Sequence, residues 1–144
     1  MPQNDDFDLQ NFLPYLLNLA AERSSLEFQA HYKSHYGMLR IEWRVLFHLG
    51  RYGQMTAKDI CVRARVHKTK VSRAVAALER KRYLKRSTDA ADRRQEDLAL
   101  TPAGQRVFED LTASAAVYDA KLAGALTPEE NEFLRGCLRK IAGL

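Results

Sequence analysis

The sequence predicts a mainly α-helical domain carrying one small β-hairpin, in the order α-α-α-α-β-β-α-α. Three observations lead there. Apolar residues recur at helical spacing through six segments. Between the fourth and fifth segments the period switches to alternation around the polar tip "DAADRR", the pattern of a hairpin. Finally, Thr101-Pro102 and Thr127-Pro128 each supply an N-cap followed by proline in the first helical turn. With 144 residues and no internal repeat or flexible linker, the chain makes a single domain, 1–144.

The first helix spans about 12–36. Phe12, Leu13, Leu16, Leu17, Ala20 and Phe28 share a helical spacing, and Pro14 is tolerated because it falls in the first turn. Arg40 to Tyr52 forms the second helix, with Ile41, Val45, Leu46 and Leu49 inward. Trp43 and Phe47 leave it little polar face, so it should be largely buried. "GQMTAKDI" opens the third: Thr56 and Asp59 form a capping box, and the apolar pattern begun by Ile60 ends near Ala64. The fourth covers about 67–82, with Val71, Ala74, Val75 and Leu78 as its buried stripe. On its opposite side stand Thr69, Arg73, Ala76 and Arg80, flanked by Lys70 and Ala77. Leu84 and Arg86, then Leu98 and Leu100, mark the two strands of the hairpin. Val107, Leu111, Ala115, Tyr118 and Leu122 line the fifth helix. Phe133, Leu134, Cys137, Leu138 and Ile141 line the sixth.

Charge is segregated along this order. Residues 51–94 hold fourteen Lys/Arg against four Asp/Glu, a net +10, while the rest of the chain holds nine against fourteen, a net −5. Such an excess on one segment is the electrostatic footprint of a nucleic-acid site. A helix whose exposed face mixes arginines and a hydroxyl with small alanines can bring its backbone close to a surface while its neighbours reach out, as entry into a major groove requires.

Several classes are excluded or disfavoured. The apolar runs are too short and too interrupted for a membrane span, so no membrane partner is expected. "MPQNDDFD" is acidic where a signal peptide would be basic, which points to the cytoplasm. Cys61 and Cys137 lie far apart at apolar helical positions without CxxC spacing, consistent with a reducing compartment and no zinc site. No phosphate-binding loop, dinucleotide fingerprint, nucleophile elbow or HExxH is present, so neither an enzyme nor a cofactor is expected.

A short capped helix, a three-residue connection and a second helix with an exposed cationic face make a helix-turn-helix, and the hairpin behind it makes a winged one. The stretch "IEWRVLFHLGRYGQMTAKDICVRARVHKTKVSRAVAALERKRYLKRSTDAADRRQEDLALTPAG", residues 41–104, resembles the core of the MarR family of bacterial transcriptional regulators, with "KTKVSRAVAALE" and "DRRQEDLALTPAG" its most specific parts. The resemblance implies an obligate homodimer joined through its N- and C-terminal helices, 8–38 and 101–144. The lobe 40–100 is then left to bind double-stranded operator DNA. It also implies a repressor released by a small anionic or aromatic effector. A helical adaptor, and a redox- or metal-responsive regulator of the same fold, remain alternatives.

On that reading Thr69, Lys70 and Arg73 face base edges, Arg73 toward a guanine. His67, Lys68, Ser72 and Arg80, at the rim of the face, meet phosphates. Asp92 and Arg94 match the family's Asp-x-Arg wing pattern, in which the arginine reaches into the minor groove; Arg93 is the alternative. Tyr15, His31, His35, Tyr36, Arg40 and Trp43 are the candidates for an effector cleft. His31 and His35 stand at i, i+4, but with no carboxylate or cysteine beside them in the sequence no metal site is assigned.

The sequence departs from the family in three places. Arg65 and Arg82 occupy positions where a small residue and a glycine are usual, so each requires a left-handed backbone or a different turn. His67 stands where Asp or Ser commonly caps the recognition helix. Glu96 and Asp97 would repel phosphate unless Arg86 or Lys85 pairs with them.

Overall fold

The computed structural model describes residues 7–88, 91 and 95–144. After a short 3-10 turn at Leu9–Asn11 come α1 (Leu13–Tyr36), α2 (Arg40–Tyr52), β1 (Met55–Thr56), α3 (Ala57–Ala64), α4 (Lys68–Arg80), β2 (Leu84–Thr88), β3 (Glu96–Leu100), α5 (Pro102–Ala123) and α6 (Pro128–Ala142).

The local signals explain most boundaries. Gly37, at φ 61, closes α1 in the left-handed region that glycine enters without penalty. Thr56 and Asp59 form their reciprocal box at the start of α3, at 3.1 Å each way. Thr127 and Glu130 do the same for α6, at 3.0 and 3.1 Å.

Three expectations are corrected. The fold has a third strand: β1 pairs antiparallel with β3, Met55 opposite Leu98 and Thr56 opposite Asp97, so the sheet runs β1-β3-β2. Two residues carry no readable alternation, and Thr56 is extended because an N-cap must be. α4 is shorter than expected and ends at Arg80, since Arg82 takes φ 62 and turns the chain toward β2. The cysteines, whose apolar helical positions predict burial, are half-buried.

The core lies in the lobe. Val45, Leu46 and Leu49 of α2, Ile60 of α3, the α4 stripe of Val71, Ala74, Val75 and Leu78, and Leu84 and Leu98 of the sheet pack into one cluster. Val107 and Leu111 bring the start of α5 onto it. Gly104 allows this approach, because a Cβ there would sit 1.9 Å from the Tyr83 carbonyl oxygen. Burial then stops: Leu122 is exposed, and no residue of α6 is buried.

Candidate nucleic-acid interface

The recognition face is built from the buried side outward. Because Val71, Ala74, Val75 and Leu78 are fixed in the core, helical geometry turns Thr69, Lys70, Arg73 and Arg80 to solvent. Ala76 and Ala77 lie half-buried between the cations. With Leu39, Ile41 and Glu42 from the start of α2, Lys70, Arg73, Ala76, Ala77 and Arg80 line a hollow of about 540 Å³.

His67 caps the helix after all. It is extended at φ −63 and ψ 144, and its Nδ1 accepts the Thr69 backbone N–H at 3.2 Å. An accepting Nδ1 leaves the proton of a neutral imidazole on Nε2, so the capping residue keeps a donor for an anion beside the helix N-terminus. Lys68 and Ser72 flank the same end, both exposed.

Not every cation of the segment is free. Lys81 Nζ donates to Glu42 Oε1 at 2.8 Å, and Glu42, only 4% exposed, also accepts the Leu39 N–H through Oε2 at 2.9 Å. This pair ties the end of α4 to the beginning of α2. Arg86 bridges Glu79 at 2.9 Å and Glu96 at 3.0 Å, and the hydrogen bond to Glu96 is the main reason its pKa is raised. The expected repulsion at Glu96 is therefore cancelled. Lys68, Lys70, Arg73 and Arg80 have no hydrogen bond or ion pair with another side chain among the described residues, which separates them from the structural cations. Asp92, Arg93 and Arg94 lie outside the described residues.

Arg65 and Arg82 both take the left-handed backbone that their positions implied, at φ 54 and 62. The Arg82 carbonyl accepts the Thr101 hydroxyl at 2.7 Å. On the inner side of the turn, Arg44 Nη2 donates to the Ala64 carbonyl at 2.7 Å and so caps the carboxyl end of α3.

The six cleft candidates do not all come together, although the rings of His31 and His35 lie 4.3 Å apart and those of His35 and Tyr36 6.4 Å apart. Tyr15 and His31 are sixteen residues apart on α1, about 24 Å along one straight helix. Trp43 is spent in an aromatic stack with Tyr32 and Phe28, at centroid distances of 5.9 and 5.2 Å. The Tyr36 hydroxyl donates to Asp110, which pushes its pKa up to about 12. Arg40 donates to Ser25 at 2.7 Å. Burial pushes the neighbouring Tyr32 hydroxyl up, against the opposing pull of the Arg40 guanidinium. His35 is exposed, turning its Nδ1 to the His31 carbonyl at 2.9 Å.

His31 reaches a hollow. A second concavity of about 520 Å³ lies between α1 and α5, lined by Glu27, Phe28, His31, Ser114, Tyr118 and Lys121 among others. Phe28 stacks on Tyr118 at 5.9 Å and on His31 at 6.2 Å. The His31 Nε2 is buried with no hydrogen-bond partner among the described residues. Glu27, Tyr118 and Lys121 were missed from the sequence because each is an ordinary helix residue until α5 is laid beside α1.

The hairpin-backed helix pair and its bare cationic face meet their counterpart in a known family: a model described as MarR family matches residues 36–95. Over that stretch the chain resembles the MarR family. Its fold is a winged helix-turn-helix, and the proteins it matches are DNA-binding transcriptional regulators. Among relatives, the HTH-type transcriptional regulator YwaE of Bacillus subtilis (strain 168) is 24% identical over 123 residues, covering 85% of this chain and 72% of that protein. The HTH-type transcriptional repressor MdtR of the same organism is 33% identical over 86 residues, 60% of this chain and 56% of that one. In the solved structures, Bordetella bronchiseptica BpsR, described for regulation of its DNA binding by 6-hydroxynicotinic acid, superposes with a TM-score of 0.87 at 24% identity. That match covers 96% of this chain and 98% of BpsR.

Proposed function

We propose that this chain is a repressor that binds a pseudo-palindromic operator as a homodimer and is released by a small anionic or aromatic molecule. The observation that carries the DNA-reading half is the face of α4, where Lys70, Arg73 and Arg80 stand with two alanines and Thr69 is exposed, while neighbouring Lys81 and Arg86 are neutralised by carboxylates. Thr69, Lys70 and Arg73 meet base edges; His67, Lys68, Ser72 and Arg80 meet phosphates. Asp92, Arg93 and Arg94 complete the interface from the wing, a role that rests on the sequence pattern alone.

The helices 8–38 and 101–144 form the dimer and the lobe 40–100 binds DNA. Support comes from α6, whose Phe133 is 75% exposed and whose Leu134, Leu138 and Ile141 share that open face. A soluble helix with an apolar stripe needs a surface to cover it, and a second copy offers the matching stripe. A two-fold dimer then reads half-sites about 35 Å apart, one turn of duplex. No helix among the described residues is long and apolar enough to cross a membrane.

The effector binds in the hollow between α1 and α5. Its aromatic walls and the His31 nitrogen, without a partner among the described residues, suit a planar acid, the class of molecule named for BpsR, and binding it would draw the Lys121 ammonium from its ion pair with Glu27 at 2.8 Å. The repressor sense follows the name of MdtR. Selection from a random duplex library, followed by binding of the selected duplex with and without 6-hydroxynicotinate and hydroxybenzoates, tests the whole reading. A selected palindrome whose binding is weakened by one of these acids is the expected result. Ser114→Trp should fill the hollow and abolish the acid's effect and its stabilisation against heat. Retention of both would remove the hollow as the site.

A further inference from the structure

Arg65 holds a backbone conformation that favours glycine, φ 54 and ψ 47, at the turn between α3 and α4. Its backbone N–H closes α3 on the Cys61 carbonyl, a bond that glycine would make equally well. The side chain does something glycine could not. Nη1 donates to the Ala142 carbonyl and Nη2 to the Gly143 carbonyl, 77 and 78 residues away. These are the last carbonyls of α6, which have no partner within the helix and carry the negative end of its dipole. A guanidinium fork matches two such acceptors at once.

The contact is mechanically prominent because α6 is otherwise so lightly attached. Among the described residues it buries none of its own side chains. Its other side-chain tie to the rest of the chain is the ion pair of Arg135 with Asp119 of α5, at 2.9 Å. On the far side of the link, Val66 separates Arg65 from His67, the cap of the recognition helix.

We infer that Arg65 is a positioning residue for DNA reading, tying the helix-turn-helix turn to the carboxyl end of α6 so that the dimerisation helix sets where the recognition helix sits. This rests on the reading of α6 as a dimer helix. In the dimer, two such ties reference both recognition helices to the two-fold axis. They therefore restrict the half-site spacing that the protein accepts.

The test uses the full-length protein and the duplex it selects from a random library, together with versions lengthened or shortened by one base pair between half-sites and a scrambled duplex. Arg65→Gly satisfies the backbone and removes the tie; deletion of residues 142–144, all exposed, removes the acceptors. Arg65→Gly should remain dimeric and melt no lower than the parent, yet bind the selected duplex about tenfold more weakly, a typical size for coupling between groups in contact. Its discrimination against the altered spacings should shrink, and the deletion should cause no further loss in that background. Arg65→Lys, which keeps the charge without the fork, should recover only part of the affinity.

Equal losses on the selected and scrambled duplexes, with a smaller salt dependence, would mean that Arg65 touches phosphate directly and would overturn the tie. Unchanged spacing preference, or additive losses in the double variant, would overturn it as well. A wild-type protein that is monomeric in light scattering would instead bring down the dimer reading first, which distinguishes that failure from this one.

Discussion

Arg73 projects from the exposed face of α4 with no carboxylate to hold it among the described residues, whereas Arg86, thirteen residues further along the chain in β2, is clamped between Glu79 and Glu96. The difference leaves Arg73 available to DNA and Arg86 to the fold. Arg73→Ala should cost about 1–3 kcal/mol on the selected operator and relax discrimination at one base position per half-site, because a bidentate contact both binds and selects. Lys68→Ala should weaken binding to all duplexes alike and lower the salt slope by about one per site, two per dimer. Titrations on selected and scrambled DNA at several salt concentrations read both, and identical losses for Arg73→Ala on the two duplexes would mean that α4 does not read bases. The half-buried Tyr36 offers a pH signature. Its bond to Asp110 raises its pKa from 10.0 to about 12, so the neutral phenol is favoured in the folded state. Stability from this pair is complete below pH 10 and lost as pH rises through about 12. Tyr36→Phe should therefore melt lower than the parent at pH 8, with the gap closing above pH 11 in parallel melts.

At the scale of elements, the caps decide where helices begin. α3 has eight residues and depends on its first turn, where Thr56 also belongs to β1. Thr56→Ala removes the hydroxyl that accepts the Asp59 N–H and should cost about 1 kcal/mol in urea unfolding. Asp59 itself is held below its ordinary pKa, first by the Thr56 backbone N–H and then by the Thr56 hydroxyl. A lowered carboxylate contributes stability above its unfolded value that is lost as pH falls through its folded one. The difference between parent and Asp59→Asn should accordingly fade below about pH 4. α4 draws its position from elsewhere: its buried stripe, the Glu42–Lys81 pair at its end and the His67 ring at its start. Leu46 lies beneath that stripe, fully buried, and Leu46→Ala should destabilise the lobe by about 2–5 kcal/mol through the cavity it leaves.

For the whole molecule, the uneven distribution of burial governs behaviour. The lobe is sealed around α2, α3, α4 and the sheet, while α6 and the outer half of α5 end in open apolar side chains. The parent should be a dimer in light scattering. Phe133→Glu combined with Ile141→Glu should yield a monomer with an intact lobe that binds operator DNA far more weakly, since half the contacts are lost with the partner. A dimer that survives both charges would move the interface away from α6.

What the sequence determined by itself is whatever depends on neighbours along the chain. The stripe of Val71, Ala74, Val75 and Leu78 was legible because a helix repeats every 3.6 residues, and so was the face of Thr69, Lys70, Arg73 and Arg80 opposite it. The boxes at Thr56 and Thr127 follow from a side chain reaching three residues ahead. Even the left-handed turns at Arg65 and Arg82 could be anticipated, from residues standing where smaller ones are expected. The tertiary structure alone decided which cations are free, because Lys81 and Arg86 are neutralised by Glu42, Glu79 and Glu96, partners seven to thirty-nine residues distant. It also supplied β1, too short to carry a period. It formed a hollow whose walls come from α1 and α5 together, with His31 among them. Such features depend on pairs of residues brought together by the core, and periodicity along one segment carries no record of what another segment will place beside it.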